Sequence, residues 1–528
     1  MAPSSSQKSK NSSRTKSIST QGIKATGIQG QLQSGLKFVD KSWLPFIALS
    51  IVFSLGVAIA LNLITTLPQL LILGGVFGLL LALIIFQNPE IGGYLLIFTV
   101  FTNMSDLFTE KGLPSINKPL MAITILSILV HYLFKTENRL QFPQLTRIEL
   151  SLLAYFAVIF ASSFVASDRS LALSSFFDLM KDVAVGLCIL ITLNTKSRLK
   201  TGVNVLIFGV AFVSFLGVIK TVTGTEQTFW GFAQNSVFGQ INSAGVLRFG
   251  GPIGESNVWA QVLAATLPFA IYQLFKRPEP LIRITMLGSA LVIFLCLLYT
   301  ESRGAIVALF LVIPLIILEM RLNATSILIS AVVGIMVISL VPSKYTARIK
   351  TLQIFFQTDQ QYGLTQDESV AGRREKMLTG LAMFEDKPFL GVGFGNYSTN
   401  YWKYAGQLGF EASTTDIQSA QADREPHSLY IEIMSETGLF GIITFLIFFW
   451  FLFGGLYQAR KRALGSLDKN WEIWITSTAI AILSFLISGF FLHGIRFRYI
   501  WVLIGLALAV IYITKRATSP NPFEKVLE

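Results

Sequence analysis

The residues best suited to chemistry lie in or beside one long polar stretch, residues 342–427. His427 ends this stretch and directly precedes an apolar segment. An imidazole with an ordinary pKa of about 6.5 can accept a proton from a hydroxyl group at neutral pH. The sequence therefore nominates His427 as a general base, and a hydrogen-bonded structural role is the alternative. Glu432 and Glu436 follow one and two helical turns later, where they could orient the imidazole or serve the helix end.

Four arginines on the same predicted side of the chain could bind an anion. Arg373 and Arg374 begin a predicted helix, where positive charge is locally unfavourable. Helix propensity alone therefore does not explain the presence of the two arginines. Arg303 stands beside Glu301 at the start of an apolar run, and Arg248 precedes a glycine-rich turn. Guanidinium groups match phosphate oxygens, which favours recognition of a diphosphate. Lipid headgroup binding by the adjacent pair, and a local ion pair of Arg303 with Glu301, are the alternatives.

Nucleotide and metal sites are disfavoured by the sequence. The run Gly391–Gly395 lacks a strand–turn–helix setting and a following Lys-Ser/Thr, so it predicts a tight turn instead of a nucleotide loop. His131, His427 and His493 are far apart in the sequence and lack nearby carboxylate patterns. No Asp-x-Asp pair occurs in the predicted outer connections, which argues against a metal-dependent sugar-nucleotide transferase. We therefore expect neither a metal nor a cofactor.

The elements that must position these residues are membrane-length helices. Hydrophobic residues make up 52% of the chain and charged residues 14%, which excludes an ordinary soluble protein. Apolar runs of about 20 residues recur, long enough to cross a bilayer as helices. The prediction is an all-α polytopic transmembrane helical bundle of about 12–14 spans. Spans are placed roughly at 43–64, 67–86, 91–108, 120–134, 148–165, 175–193, 201–219, 256–275, 284–300, 303–320, 325–341, 438–457, 472–492 and 499–514.

The net charge of +12 indicates membrane topology and not nucleic-acid binding, because the basic residues mostly flank the apolar runs. With the basic first residues inside, alternation places most basic connections on the cytoplasmic side, as the positive-inside rule requires. Residues 1–42 are then a disordered basic cytoplasmic tail, 43–514 the transmembrane domain, and 515–528 a second cytoplasmic tail. The stretch 342–427 becomes a long extracytoplasmic loop.

Two local patterns refine this picture. Met377, Leu378, Leu381 and Phe384 fall on one side of a helix, which predicts a short amphipathic helix on the membrane surface. The predicted span 175–193 carries Asp178, Lys181 and Asp182, which we interpret as an ion pair at i,i+3 spacing turned toward the bundle interior, or as a partly interfacial helix.

Several of these segments resemble one known family in the same order along the chain. The segment from His427 to Gly438 matches the H-x10-G pattern of the O-antigen ligase and polymerase superfamily. Four further elements resemble that family: Arg374 to Leu378 its R-x3-L element, Phe384 to Asn396 its P-x-x-G-x-G-x-G/N stretch, Ser302-Arg303-Gly304 its S-R-G/A turn, and Arg248 to Asn257 its upstream Arg followed by Asn. The resembling core covers about residues 245–460.

The resemblance implies a bacterial inner-membrane glycosyltransferase of the GT-C class. Such proteins use an undecaprenyl-diphosphate-linked glycan as donor and a lipid or glycan acceptor. By this resemblance, Arg248, Arg303 and Arg374 hold the diphosphate, with Arg373 as their neighbour. His427 activates the acceptor hydroxyl in a metal-independent inverting displacement.

Three alternatives stay open. A polymerase of the same fold would need the same donor site as a ligase. A membrane transporter would also have many spans, although transporters favour polar or broken helices at mid-bilayer and inverted repeats. An inactive scaffold in an envelope complex would be unaffected by changes to the arginines.

Overall fold

The computed structural model describes residues 78–134, 146–236, 248–321, short pieces between 323 and 335, 368–410, 424–465, 469–494 and 496–518. The predicted tails, the span 43–64, most of 67–86 and 325–341, and about half of the polar stretch lie outside these residues.

The described chain is built almost entirely of helices. They include α1 (Pro89–Phe101), α2 (Met104–Glu110), α3 (Asn117–Leu133), α4 (Arg147–Phe164), α5 (Arg169–Thr192), α6 (Lys196–Thr223), α7 (Ser256–Lys276), α8 (Pro280–Tyr299), α9 (Arg303–Met320), α10 (Glu368–Asp386), α11 (Tyr397–Gln407), α12 (Leu429–Leu464), α13 (Glu472–Ser488) and α14 (Arg498–Thr518). Short strands β1 (Gln234–Asn235) and β2 (Phe249–Gly251) form an antiparallel pair between α6 and α7. Single 3-10 turns lie at Phe229–Gly231 and Lys469–Trp471.

The predicted all-α, polytopic membrane fold is confirmed. Seven helices among the described residues are long and apolar enough to cross a membrane, or eight if α1 and α2 count as one span. Each span predicted between 120 and 320, and between 438 and 514, coincides with a helix. Helices α3 and α13 are apolar but shorter.

The third predicted span differs from its expectation because it is broken. α1 and α2 meet at an angle of 61°. Asn103, at the break, has a left-handed backbone with φ 51°. Its side-chain amide donates to the carbonyl of Pro252 at 3.0 Å, which fastens the break to the β2–α7 connection.

The charged sixth span forms the predicted i,i+3 pair, with Lys181 Nζ 2.7 Å from Asp178 Oδ1. Both side chains are more than half exposed, so this pair does not face the bundle interior. Asp182 instead lies 3.1 Å from Arg498 Nε of α14, and the same guanidinium contacts Asp106 at 3.2 Å.

Polar residues at helix starts explain where several helices begin. Thr146 and Glu149 form a capping box at α4. Asp168 accepts from the Leu171 amide at α5, and Glu255 accepts from the Val258 amide at α7. Each such cap typically contributes about 1 kcal/mol by satisfying an amide that the first helical turn leaves unpaired.

The centre of the bundle is formed by α7 and α14, the two most buried of the candidate spans. α7 packs against α13 and α8, and α14 packs against α5, α12 and α13. Close approach of α14 to α5 depends on two glycines. A Cβ at Gly505 would lie 2.4 Å from the carbonyl oxygen of Gly186, a contact that only glycine tolerates.

The connections separate into two ends of the bundle. The basic end carries the α7–α8 connection, the end of α9 and the α12–α13 connection. At this end Arg460 pairs with Glu319 and Glu472, and Lys276 Nζ donates to the Met320 carbonyl. The loop end carries the α6–α7 connection, the α8–α9 turn, α10, α11 and the α13–α14 corner (489–497). All predicted site residues belong to connections or helices at the loop end.

Candidate active site

The glycine-rich run after α10 docks on α12. Gly391, Gly393 and Gly395 have φ values of 66°, 107° and 72°, a left-handed conformation that favours glycine, and the run forms turns as predicted. The Val392 amide donates to the Ser435 carbonyl at 2.9 Å, and the Gly393 amide donates to the Glu436 carbonyl at 3.1 Å.

Gly438 makes this docking possible by interrupting α12. Its φ of 67° and ψ of −161° are accessible essentially only to glycine. Beyond the break, the Leu439 amide donates to the Pro388 carbonyl at 2.6 Å and the Phe440 amide to the Phe389 carbonyl at 3.3 Å. A Cβ at position 438 would lie 2.4 Å from the Phe389 carbonyl. Gly438, the last residue of the H-x10-G pattern, is therefore in direct contact with the segment that carries the glycine-rich run.

A buried carboxylate completes this junction. Glu436 accepts hydrogen bonds from the amides of Gly395 at 2.9 Å and Tyr397 at 3.2 Å. Asn396, between them, accepts from the Asp168 amide at 2.8 Å and donates to the Asp168 carbonyl at 3.1 Å. Glu436 therefore holds the backbone of the glycine-rich run and of the start of α11, a role other than the two that the sequence left open.

Helix α10 is held by tyrosines of α11. The Tyr397 hydroxyl donates to the Lys376 carbonyl at 2.5 Å, and the Tyr401 hydroxyl donates to the Glu375 carboxylate. The predicted helix in this region is present, with Met377 and Leu378 exposed, and its placement on a membrane surface stays a prediction.

His427 lies one residue before the N-cap of α12 in a left-handed conformation, with φ 49°. This conformation is costly for a residue with a Cβ, and such strain is concentrated at functional sites. The imidazole Nε2 is 3.1 Å from Lys376 Nζ, and the ring centre is 5.7 Å from that of His493. Nδ1 is buried and has no hydrogen-bond partner among the described residues.

The surroundings of His427 keep its imidazole neutral. Burial lowers the pKa of His427 well below its ordinary value, and Lys376, His493 and Arg373 lower it further. Burial also lowers the pKa of His493. A neutral imidazole is the form that can accept a proton, so the local electrostatics suit a base.

The α13–α14 corner closes over the start of α12. The predicted span to 492 ends as a helix at Ser488, because the carbonyls of Gly489 and Leu492 both accept from the Leu429 amide, at 2.8 and 3.0 Å. Glu432 accepts from the Gly494 amide at 3.0 Å. Like Glu436, this carboxylate thus holds backbone.

An ion-pair network connects this corner to the segment before His427. Arg496 lies 3.4 Å from Glu432 and 3.1 Å from Glu425. Glu425 is also 3.6 Å from His493 Nε2. The neighbouring carboxylates raise the pKa of the Arg496 guanidinium despite its burial, so this arginine stays charged.

Arg248 ties the start of α7 to the α8–α9 turn. It is buried, and its guanidinium donates from Nε to the Thr300 carbonyl at 2.9 Å and from Nη2 to Asn257 Oδ1 at 3.0 Å. Asn257 in turn donates to Glu255 at 2.9 Å. Glu255 raises the pKa of His493 electrostatically, which links this group to the histidines.

Arg303 begins α9 directly after the same turn. Glu301 is buried in a left-handed conformation with φ 53°. A Cβ at Gly304 would lie 2.6 Å from the Cβ of Phe491, so the start of α9 packs on the α13–α14 corner. Arg303 is therefore next to the segment that carries His493.

Residues 288–446 match the protein-family model described as O-Antigen ligase. Over these residues the chain is similar to the O-antigen ligase family. This match confirms the resemblance to the O-antigen ligase superfamily that the sequence motifs indicated. Arg303, Arg373, Arg374 and His427 lie inside the match, and Arg248 lies before it. The comparison with curated proteins gave no match.

Several of the nominated residues lie at the loop end of the bundle. Arg373 acts electrostatically on His427, while Arg248 and Arg303 join the same end through the α8–α9 turn and the α13–α14 corner. Arg374 is exposed on α10. Of this adjacent pair, Arg373 is the one whose charge lowers the pKa of His427.

Sequence reasoning missed three contributors. Lys376 follows Arg373 by three residues, and helical periodicity could have placed both on one face. Glu425 precedes His427 by two residues. His493 was not nominated because it lies far from His427 in the sequence. Among the described residues, no group of three or more His, Cys, Asp or Glu side chains is arranged to hold a metal.

Proposed function

We propose that this membrane protein transfers a glycan from an undecaprenyl-diphosphate carrier to a hydroxyl group of a lipid or glycan acceptor. We assign the loop end to the extracytoplasmic face of the bacterial inner membrane, with both termini cytoplasmic. The observation that carries the proposal is the neutral imidazole of His427 beside Lys376 and Arg373, at the end of the bundle where the other nominated arginines also lie.

In the proposed step, His427 accepts the proton of the acceptor hydroxyl. The oxygen attacks the anomeric carbon of the donor sugar, and the bond from that carbon to the diphosphate oxygen breaks. The leaving group is undecaprenyl diphosphate, and the configuration at the anomeric carbon inverts. The proton then passes from the imidazolium to solvent.

The cationic groups would stabilise the charge that develops on the departing diphosphate. Arg303 and Arg373 are the proposed direct ligands, because fixed guanidinium groups stabilise such charge without reorganisation. Arg248 already donates to Thr300 and Asn257, so we propose that it contributes its charge while holding the turn that carries Arg303. Arg374, exposed beside Arg373, is proposed to contact the outer part of the donor headgroup.

The test is transfer by the purified protein in lipid nanodiscs, with undecaprenyl-diphosphate glycan and a panel of acceptors. His427→Ala should insert and fold but transfer about 10²–10⁴-fold more slowly, the usual effect of losing a general base. His131→Ala is the matched control, since His131 lies in α3 with Nδ1 2.9 Å from the Ser127 carbonyl. Near-normal transfer by His427→Ala would leave His427 a structural residue.

The product distinguishes a ligase from a polymerase. A single glycan attached to a lipid acceptor would identify a ligase. Progressive lengthening of a carrier-linked glycan by repeat units would identify a polymerase that uses the same donor site.

Transport is the second candidate, and the 61° break between α1 and α2 favours it, because transporters use broken helices. In proteoliposomes, a transporter would move the carrier-linked glycan across the bilayer without cleaving it. Glycan released from the carrier and joined to an acceptor would exclude transport as the sole activity.

A further inference from the structure

The ammonium group of Lys376 contacts the imidazole of His427. Its Nζ is 3.1 Å from Nε2, within hydrogen-bond distance. An ammonium can only donate, so contact with it places the lone pair of the ring on Nε2 and the proton on Nδ1. The contact therefore selects one tautomer of the neutral ring.

The position of Lys376 is fixed by its scaffold. The Tyr397 hydroxyl donates to the Lys376 carbonyl at 2.5 Å. Tyr397 is held in turn by Glu436, which accepts from its amide at 3.2 Å. The junction built by Gly438 and the glycine-rich run therefore sets the distance between Lys376 and His427.

Several other charged or titratable groups act on Lys376, on His427 or on the neighbouring His493, and they must be considered in any pH experiment. Arg373 and Glu375 lie on α10, Arg424 and Glu425 precede His427, and His493, Arg496, Glu432 and Glu255 approach from the corner, α12 and the start of α7. Burial, Arg424 and Arg373 lower the pKa of Lys376. Lys376 is the only one of these groups with a direct polar contact to the His427 ring among the described residues.

We propose that Lys376 is a positioning residue that holds His427 in the neutral tautomer with its lone pair on Nε2. The role of this contact in catalysis rests on the proposed function. When a donor diphosphate binds, its negative charge attracts the ammonium, and Nε2 becomes available to the acceptor hydroxyl. Donor binding would thus precede removal of the acceptor proton.

The test is the pH dependence of His427 in variants of Lys376. Lys376→Met removes a positive charge beside the ring, so protonation of His427 becomes easier and its midpoint moves to higher pH. A shift of about one pH unit is expected for a like charge in contact. Lys376→Gln is a second neutral variant with the same expected shift. Lys376→Arg retains the charge and should leave the midpoint in place, and Lys387→Met is the control on the same segment.

Two readouts separate this inference from the proposed function. Carbethoxylation of His427 by diethyl pyrocarbonate, followed by mass spectrometry of its peptide across pH, reports the protonation midpoint without any transfer reaction. The acid limb of the single-turnover transfer rate should move by the same amount. Unchanged carbethoxylation midpoints in both neutral variants would overturn the inference. A shifted midpoint in a protein that transfers no glycan would uphold the Lys376–His427 contact and refute the proposed function.

Discussion

Replacing Gly438 by alanine should break the junction between α12 and the glycine-rich run. The backbone of Gly438 lies in a region that costs a residue with a Cβ about 1–3 kcal/mol. The new Cβ would also lie 2.4 Å from backbone atoms of Phe389, and backbone atoms cannot move away by a change of rotamer. Relieving this clash requires the two segments to separate and to lose their four backbone hydrogen bonds, each worth about 0.5–1.5 kcal/mol net. The local cost is therefore about 3 kcal/mol or more.

The chain offers a matched control in the same helix. Gly454 has nothing within 4 Å of an added Cβ, so Gly454→Ala should be neutral or stabilising by up to about 1 kcal/mol. Hydrogen exchange of residues 388–397, measured by mass spectrometry in one detergent, should increase about 100-fold in Gly438→Ala and stay unchanged in Gly454→Ala. Glycan transfer should fall with it, because Lys376 and Arg373 depend on this junction. Equal exchange in the two variants would refute the reasoning.

Three further outcomes are expected. Glu436→Gln leaves one acceptor oxygen for the amides of Gly395 and Tyr397, and should lower the free energy of unfolding by about 1–3 kcal/mol, measured by thermal unfolding; an unchanged transition would contradict this. His427 and His493 have folded-state pKa values below the ordinary one, so the unfolded chain binds their protons first and stability should fall as pH drops below about 6.5. In His427→Gln the unfolding transition temperature should fall less steeply as the pH drops. An unchanged slope of transition temperature against pH would contradict a buried, neutral His427 ring. Chelators should leave the rate of glycan transfer unchanged. A loss of transfer that a divalent cation restores would show that the cationic side chains do not suffice to stabilise the departing diphosphate.

Much of the helical architecture could be predicted from the sequence, because lipid imposes long apolar runs with basic flanks. The spans at α4, α6 to α9 and α14 follow directly from that pattern. The break at Asn103 could not be predicted in the same way, since it depends on a hydrogen bond to Pro252, far along the chain. The end of α13 at Ser488 likewise reflects carbonyls recruited by Leu429.

The candidate site was predictable in its residue types but not in its contacts. The H-x10-G pattern and the glycine-rich run were visible separately, yet their pairing arises from the φ and ψ of Gly438. The family resemblance pointed to Arg374 as a diphosphate ligand, whereas α10 is rotated so that Lys376 contacts the His427 ring and the charge of Arg373 acts on it. That rotation is set by tyrosines of α11, which sequence periodicity within α10 cannot reveal.

The measurement that tests the central claim most directly is photolabelling with an undecaprenyl-diphosphate analogue that carries a diazirine next to the diphosphate. If one site gathers these groups, labels should appear together in peptides covering 300–303, 372–378, 424–428 and 489–497. Excess unlabelled undecaprenyl diphosphate should remove them. Labelling at the basic end of the bundle, or labelling that the competitor does not reduce, would contradict a single lipid-diphosphate site around His427.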